Sequence, residues 1–175
     1  MEIKLERIIV REFKIIDIDD VHEYASDLDT VKYMLFGPNT YEETKSFIET
    51  VVNVYNKEEN KKVYEFAIEY KGKVIGATSI YLDENNVGEL GWILNKKYRR
   101  NGFMYEAVSS VINYIKNNTN IKKLIAHCDS RNVPSYKLME KLGMTRISLV
   151  KNCRKDKKTG EYIFDELMYE LVLGD

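Results

Sequence analysis

The stretch ILNKKYRRNGFMYEAV, residues 93–108, decides how this chain folds. An apolar run ends at Leu94, and four cationic residues, Lys96, Lys97, Arg99 and Arg100, follow within six positions. Asn101 and a lone glycine, Gly102, come next, and helical spacing starts at once: Met104, Ala107, Val108, Val111, Ile112 and Ile115 predict a helix over 103–118. A helix N-terminus exposes unpaired N–H groups and carries partial positive charge, which suits phosphate. Gly102 lets the backbone approach an anion or adopt φ > 0, and the two arginines add charge and bidentate donors. The loop is neither a Walker motif nor a dinucleotide fingerprint, since GxxxxGK[ST] and GxGxxG are absent. Alone, it equally fits a solvated loop in which Gly102 eases a turn.

The flanks give the loop a place in a fold. VGELGWIL (87–94) before it reads as a strand, and Lys123 to Cys128 after the helix reads as a short one. Strand, helix and strand in this order form a crossover unit, so the two strands are parallel neighbours. Ligands of such sheets sit beyond the carboxyl ends of the parallel strands, where RRNG lies. Further out, KLERIIVREF (4–13) reads as a first strand, and DIDD (17–20) offers an N-cap to a helix ending at Ala25. Thr40 and Glu43 have capping-box spacing and open a helix with Phe47, Ile48, Val51, Val52 and Tyr55 on one face. A period of two over 63–70, 74–81 and 87–94 predicts an antiparallel meander, turning at Lys71-Gly72-Lys73 and at DENN (83–86). Pro134 suits the first turn of a helix that Gly143 ends, and residues 145–173 read as two strands turning near Gly160. The expected fold is α/β: a mixed sheet of about seven strands, mostly antiparallel around one parallel pair, with about four helices.

The 175 residues show no repeat or linker, and 1–175 reads as a single domain. With 44% hydrophobic and 31% charged residues the composition is that of an ordinary globular protein. A net charge of −1 supplies no field to recruit nucleic acid or an anionic membrane. No apolar stretch approaches the roughly 20 residues of a membrane span. Cys128 and Cys153 have no metal-ligand or CxxC spacing, so no metal is expected. Two such cysteines, and an N-terminus that alternates charge and apolarity, predict reduced thiols in a cytoplasmic protein.

Arg99 to Met104 resembles the R/Q-x-x-G-x-G/A signature of the GNAT family of acetyl-CoA-dependent N-acetyltransferases. VGELGWIL resembles the family's fourth strand, and NVPSYKLMEKLGM (132–144) its N-x-x-A/S-x-x-L-x-x-x-x-G-F segment. LERIIVREFKIIDIDDVHEY (5–24) and FAIEYKGKVIGATSIYL (66–82) align with it in order and spacing. The nearest resemblance is to the branch of ribosomal-protein N-terminal acetyltransferases, whose GYATEA corresponds to GFMYEA (102–107) here.

That resemblance implies a GNAT-like fold with a splayed central parallel pair and acetyl-CoA as co-substrate. Backbone N–H groups of Arg99, Arg100, Asn101, Gly102, Phe103 and Met104 would hold the CoA phosphates, with Met104 where the family has glycine or alanine. Ile93 and Leu94 would pair with the pantetheine arm and Asn132 would bond it. Glu89 would be the general base. In strand 87–94 it shares a face with Val87, Gly91 and Ile93, and by the residues alone it also reads as an exposed strand-end carboxylate. Met139 stands where many members have a tyrosine that protonates the departing thiolate, and the Ser135 hydroxyl would serve instead. Tyr33, Phe36 and Tyr41 would line the acceptor site.

The implied reaction is direct attack of a primary amine on the thioester. A protein N-terminal α-amine is the first acceptor to consider, with polyamines or aminoglycosides behind it. A module that binds acyl-CoA without turnover is a further alternative. No nucleic acid or membrane partner is expected, and the chain would be a monomer or homodimer. Cys128 reads as a buried inert thiol, His127 as a histidine without a carboxylate partner, and Lys151–Lys158 as a solvated hairpin tip.

Overall fold

The computed structural model describes residues 1–57, 59 and 61–174. In chain order its elements are β1 (Glu2–Lys4), β2 (Ile9–Glu12), α1 (Ile18–Ala25), α2 (Tyr41–Asn53), β3 (Val63–Tyr70), β4 (Lys73–Leu82) and β5 (Val87–Leu94). They continue as α3 (Phe103–Asn118), β6 (Lys123–Asp129), α4 (Val133–Lys141), β7 (Thr145–Lys155) and β8 (Tyr162–Val172). One eight-stranded sheet runs β1-β2-β3-β4-β5-β6-β8-β7. Every neighbour pair is antiparallel except β5 and β6.

The sheet has eight strands rather than seven because the single strand expected over 4–13 is a small hairpin. Leu5 N–H donates to Ile8 O at 2.9 Å and turns the chain, so that Ile3 pairs with Val10. Elsewhere local chemistry sets the boundaries. Thr40 and Glu43 make the expected reciprocal capping box, and Pro134 lies in the first turn of α4.

Period-two alternation sorts the sheet into two cores. Phe66, Ile68, Ile80, Leu90, Leu124 and Ala126 pack with Ala107, Val108, Val111 and Ile115 of α3 and with Met139 of α4. Phe13, Val21, Tyr24, Ile48 and Val51 cover Ala67 and Ala77 on the opposite face, beneath α1 and α2. Arg11, buried, ties that face together with bonds of 2.8 Å to Asp17 and 2.7 Å to Glu69.

Candidate active site

The sheet opens where the parallel strands meet. β5 pairs with β4 from Gly88 to Leu94, yet with β6 only at Val87–Lys123, Gly88–Leu124 and Glu89–Ile125. β6 instead follows its antiparallel ladder with β8 from Lys123 to Asp129. Each strand is drawn to its other neighbour, and a fork opens past Glu89. Gly88 closes the vertex: a Cβ there would lie 2.7 Å from Leu124 Cδ2 and 2.8 Å from Ile80 Cγ2. The β5 edge from Leu90 to Leu94 is left facing the gap with its backbone groups available.

The loop of residues 99–102 lies beyond the end of β5, at the N-terminus of α3. Arg100 (φ 64°) and Gly102 (φ 81°) are both left-handed, a backbone form that gathers successive N–H groups into an anion-binding concavity. Among the described residues, the N–H groups of Arg100 to Tyr105 have no backbone acceptor, and the first α3 bond runs from Glu106 to Gly102. Phe103 and Met104 turn their side chains into the core, which is why a large residue is tolerated at 104. Lys96 and Lys97 are engaged by Asp27 (2.6 Å) and Glu23 (2.8 Å). Lys73, then Lys97 and Asn95, hold the Glu23 carboxyl down to about 2. Arg99 and Arg100 have no carboxylate partner among the described residues.

A residue outside the motif braces this loop. Arg7, on the β1–β2 turn, donates Nη1 to Asn101 O (2.9 Å) and both Nε (2.9 Å) and Nη2 (2.7 Å) to Glu106 Oε2. Its guanidinium also lies 4.7 Å from the Phe103 ring centroid. Glu106 would otherwise place an uncompensated negative charge in the first turn of α3, against any phosphate bound there. Arg7→Met should therefore weaken the acetyl-CoA binding that the resemblance implies by about three- to tenfold, with little effect on kcat. Calorimetric titration checks this, and adding Glu106→Gln should restore part of the loss.

On the α1/α2 face, Glu89 projects into solvent at the fork's vertex, in line with Gly91 and Ile93. Across the fork, Asn132 caps α4 with its backbone and leaves its side chain without a capping bond. Ser135 lies against the Cys128 thiol, which burial pushes up to about 11 despite a hydrogen bond from that hydroxyl. Met139 is fully buried and takes no part in the opening. Tyr33 sits at the same end, its ring 5.5 Å from Arg131. Arg131 stacks on Phe164 and chelates Asp129 at 2.9 and 2.7 Å; these bonds outweigh burial and hold Asp129 below the usual carboxylate range.

Two expectations are corrected here. His127 does have a carboxylate partner: Nδ1 lies 3.1 Å from Glu166 Oε1, and the other Glu166 oxygen is 2.7 Å from the buried Arg154. Residues 128 to 165 separate the pair in sequence, so only the β6–β8 register joins them. Nor is the hairpin tip simply solvated. Lys157 Nζ donates to the carbonyls of Val31 (2.9 Å), Phe36 (2.6 Å) and Gly37 (3.0 Å), clamping the loop after α1. Phe36 lines an open groove of about 790 Å³ between that loop and the tip. Tyr41 lies apart, hydrogen-bonded to Asp19 and packed on His22. Sequence reasoning missed Glu65, a buried acid of β3 on the Glu89 face; the available signal was its place among apolar residues in VYEFAIEY. Among the described residues, no group of three or more His, Cys, Asp or Glu is placed to hold a metal.

Comparison with known proteins decides the family. The profile described as acetyltransferase (GNAT) domain matches residues 7–145. The chain belongs to the GNAT family. It is 31% identical over 173 residues to the uncharacterized N-acetyltransferase YnaD of Bacillus subtilis, covering 98% of this chain and 97% of that one. The crystal structure of a GNAT-family acetyltransferase from Bacillus anthracis superposes with a TM-score of 0.83 at 32% identity over the full length of both chains. RimL, a ribosomal L7/L12 α-N-protein acetyltransferase solved in complex with coenzyme A, shares the fold with a TM-score of 0.85 at 13% identity, covering 98% of each chain. This GNAT protein is an N-acetyltransferase, and acetyl-CoA is its co-substrate. The fork and the left-handed loop suit that ligand: an unpaired strand edge could pair with an extended amide-bearing arm, and free N–H groups could bind a pyrophosphate.

Proposed function

We propose that this enzyme acetylates the N-terminal α-amine of a protein. The observation that carries the reading is the exposure of Glu89 at the vertex of an open fork, where the end of a polypeptide can reach it without entering a closed cavity. The fold shared with RimL supports it. The N–H groups of Arg100 to Met104 receive the CoA pyrophosphate, that of Arg99 being held by Lys96 O, while the Arg99 and Arg100 side chains add charge. The β5 edge at Ile93 and Leu94 pairs with the pantetheine amides, and Asn132 bonds the same arm.

Glu89 takes the proton of the incoming ammonium. The neutral nitrogen attacks the thioester carbonyl, the C–S bond breaks, and the thiolate leaves with its electron pair. Ser135 passes a proton to that thiolate and regains one from the amide nitrogen. At pH 7 deprotonation costs an α-amine about 1 kcal/mol and a lysine about 4.6 kcal/mol, so one exposed carboxylate suits the α-amine better. Tyr33 and Phe36 line the approach of the acceptor.

Thiol release from acetyl-CoA tests the acceptor. Rates should be highest with a short peptide bearing a free N-terminal serine or alanine. The same peptide with its N-terminus blocked and a lysine inside should be inert. Faster turnover of spermidine or kanamycin would replace this reading with a small-amine acceptor.

A further inference from the structure

A second carboxyl group lies behind Glu89 on the same face of the sheet, and nothing described so far uses it. Glu65 of β3 is only 5% exposed. Its hydrogen-bond donor is the Tyr81 hydroxyl, from β4. Tyr81 has the opposite character: 41% of it is exposed, and it is the direct cross-strand partner of Glu89. Cross-strand partners hold their Cβ atoms about 5 Å apart, so Tyr81 and Glu89 border one patch of exposed surface, although the hydroxyl itself turns away to Glu65 on β3. One row over, Glu65, Ser79 and Gly91 are successive partners across β3, β4 and β5. Tyr81 thus bonds the buried acid and also reaches the surface where Glu89 stands.

We propose that Glu65 and Tyr81 form a proton relay for the acetyl transfer, with Glu65 storing, through Tyr81, the proton that Glu89 removes from the acceptor. This rests on the reading of Glu89 as the base. Glu89 first takes the ammonium proton, leaving a neutral amine and a neutral Glu89 carboxyl. Water on the exposed surface they share takes that proton and gives one to the Tyr81 oxygen, as the Tyr81 proton passes to Glu65. Glu89 is again an anion and Glu65 is neutral. After product leaves, Glu65 returns its proton by the same route to solvent, which balances the one proton released per ammonium acetylated.

The surroundings of Glu65 suit storage. Burial raises its carboxyl to about 7, although the Tyr81 hydrogen bond pulls the other way. An ammonium near 8 can pass a proton to such an acid with little penalty. The titratable groups facing it are Tyr81 from β4 and the buried Tyr24 from α1, and both phenols are pushed up by burial and then by the Glu65 charge. Tyr55, beyond α2, and Glu89 act on the relay through Tyr81. Among the described residues no cation bonds Glu65, so nothing pins it as an anion.

Glu65→Gln and Tyr81→Phe, with wild type and Glu89→Gln in parallel, decide the matter. The acceptor is a peptide with a free N-terminal serine, and kcat is followed from pH 6 to 9. Both relay variants should lose roughly tenfold or more at pH 7.5, where Glu65 is largely ionised and the amine is still partly an ammonium. The loss should be smaller at pH 6, where Glu65 is already protonated, with recovery by pH 9, where the amine is already neutral. The KM for acetyl-CoA should not change. Carboxyl ¹³C spectra of the glutamate-labelled protein read the store without turnover: one signal should titrate near 7 and be missing from Glu65→Gln. The stability sign follows. An acid whose folded value is raised costs stability only above its unfolded value, so Glu65→Gln should melt with wild type at pH 4 and above it at pH 8. A pH-independent loss, no loss, or an ordinary titration of Glu65 would overturn the relay. Unimpaired Glu89→Gln would instead remove the base reading on which it rests.

Discussion

Replacing Glu89 by glutamine should lower kcat by about 10²–10⁴-fold while leaving the Kd for acetyl-CoA at its wild-type value. The side chain is exposed, so the change buries no unpaired group and the fold should persist. In the proposed binding mode acetyl-CoA meets the loop and the β5 edge at Ile93 and Leu94, and the substitution alters neither. The loss should also depend on acceptor: larger for lysine-like amines, whose proton is harder to remove, than for α-amines. Rates measured with both acceptors, beside calorimetry with acetyl-CoA alone, separate the two effects. An equal loss of acetyl-CoA affinity would mean that Glu89 shapes the fork rather than serving as base.

The second large effect is expected at Gly102. Its φ of 81° is a left-handed conformation, and a Cβ there would lie 3.4 Å from Arg7 Nη2. Valine is penalised twice, by the left-handed backbone at about 1–2 kcal/mol and by its branched Cβ. Gly102→Val is best accommodated by flipping the loop, which scatters the N–H groups that converge on an anion. The Kd for acetyl-CoA should rise about tenfold or more, since 1.4 kcal/mol is a factor of ten. Melting temperature without ligand should move little, because the loop is exposed, and the stabilisation by acetyl-CoA should largely vanish. Unchanged affinity would show that the phosphates are held elsewhere.

Much of this was readable along the chain because its causes are local. The helix after Gly102 is a matter of 3.6-residue spacing, and the capping box at Thr40 needs only four consecutive residues. The crossover from 87–94 to 123–129 fixes a parallel pair, and so the end of the sheet where a ligand sits. The hairpin at the N-terminus was less legible: residues 4–13 carry a strand's composition, and only the Leu5–Ile8 turn bond divides them. Period and spacing say nothing about where a long side chain ends.

The sequence by itself therefore determined the order of elements, the loop suited to phosphate and the acid in the fourth strand of the family pattern. Tertiary structure decided what stands beside them. Arg7 meets Asn101 and Glu106 from about a hundred residues away, Lys157 reaches back to Val31, and Glu166 joins His127 to Arg154. The burial of Glu65 under Tyr81 depends on α1 and α2 closing over one face of the sheet. Desolvation and pairing are set by whatever the fold brings within a few ångströms, and that distance is not written in the spacing of residues along a chain.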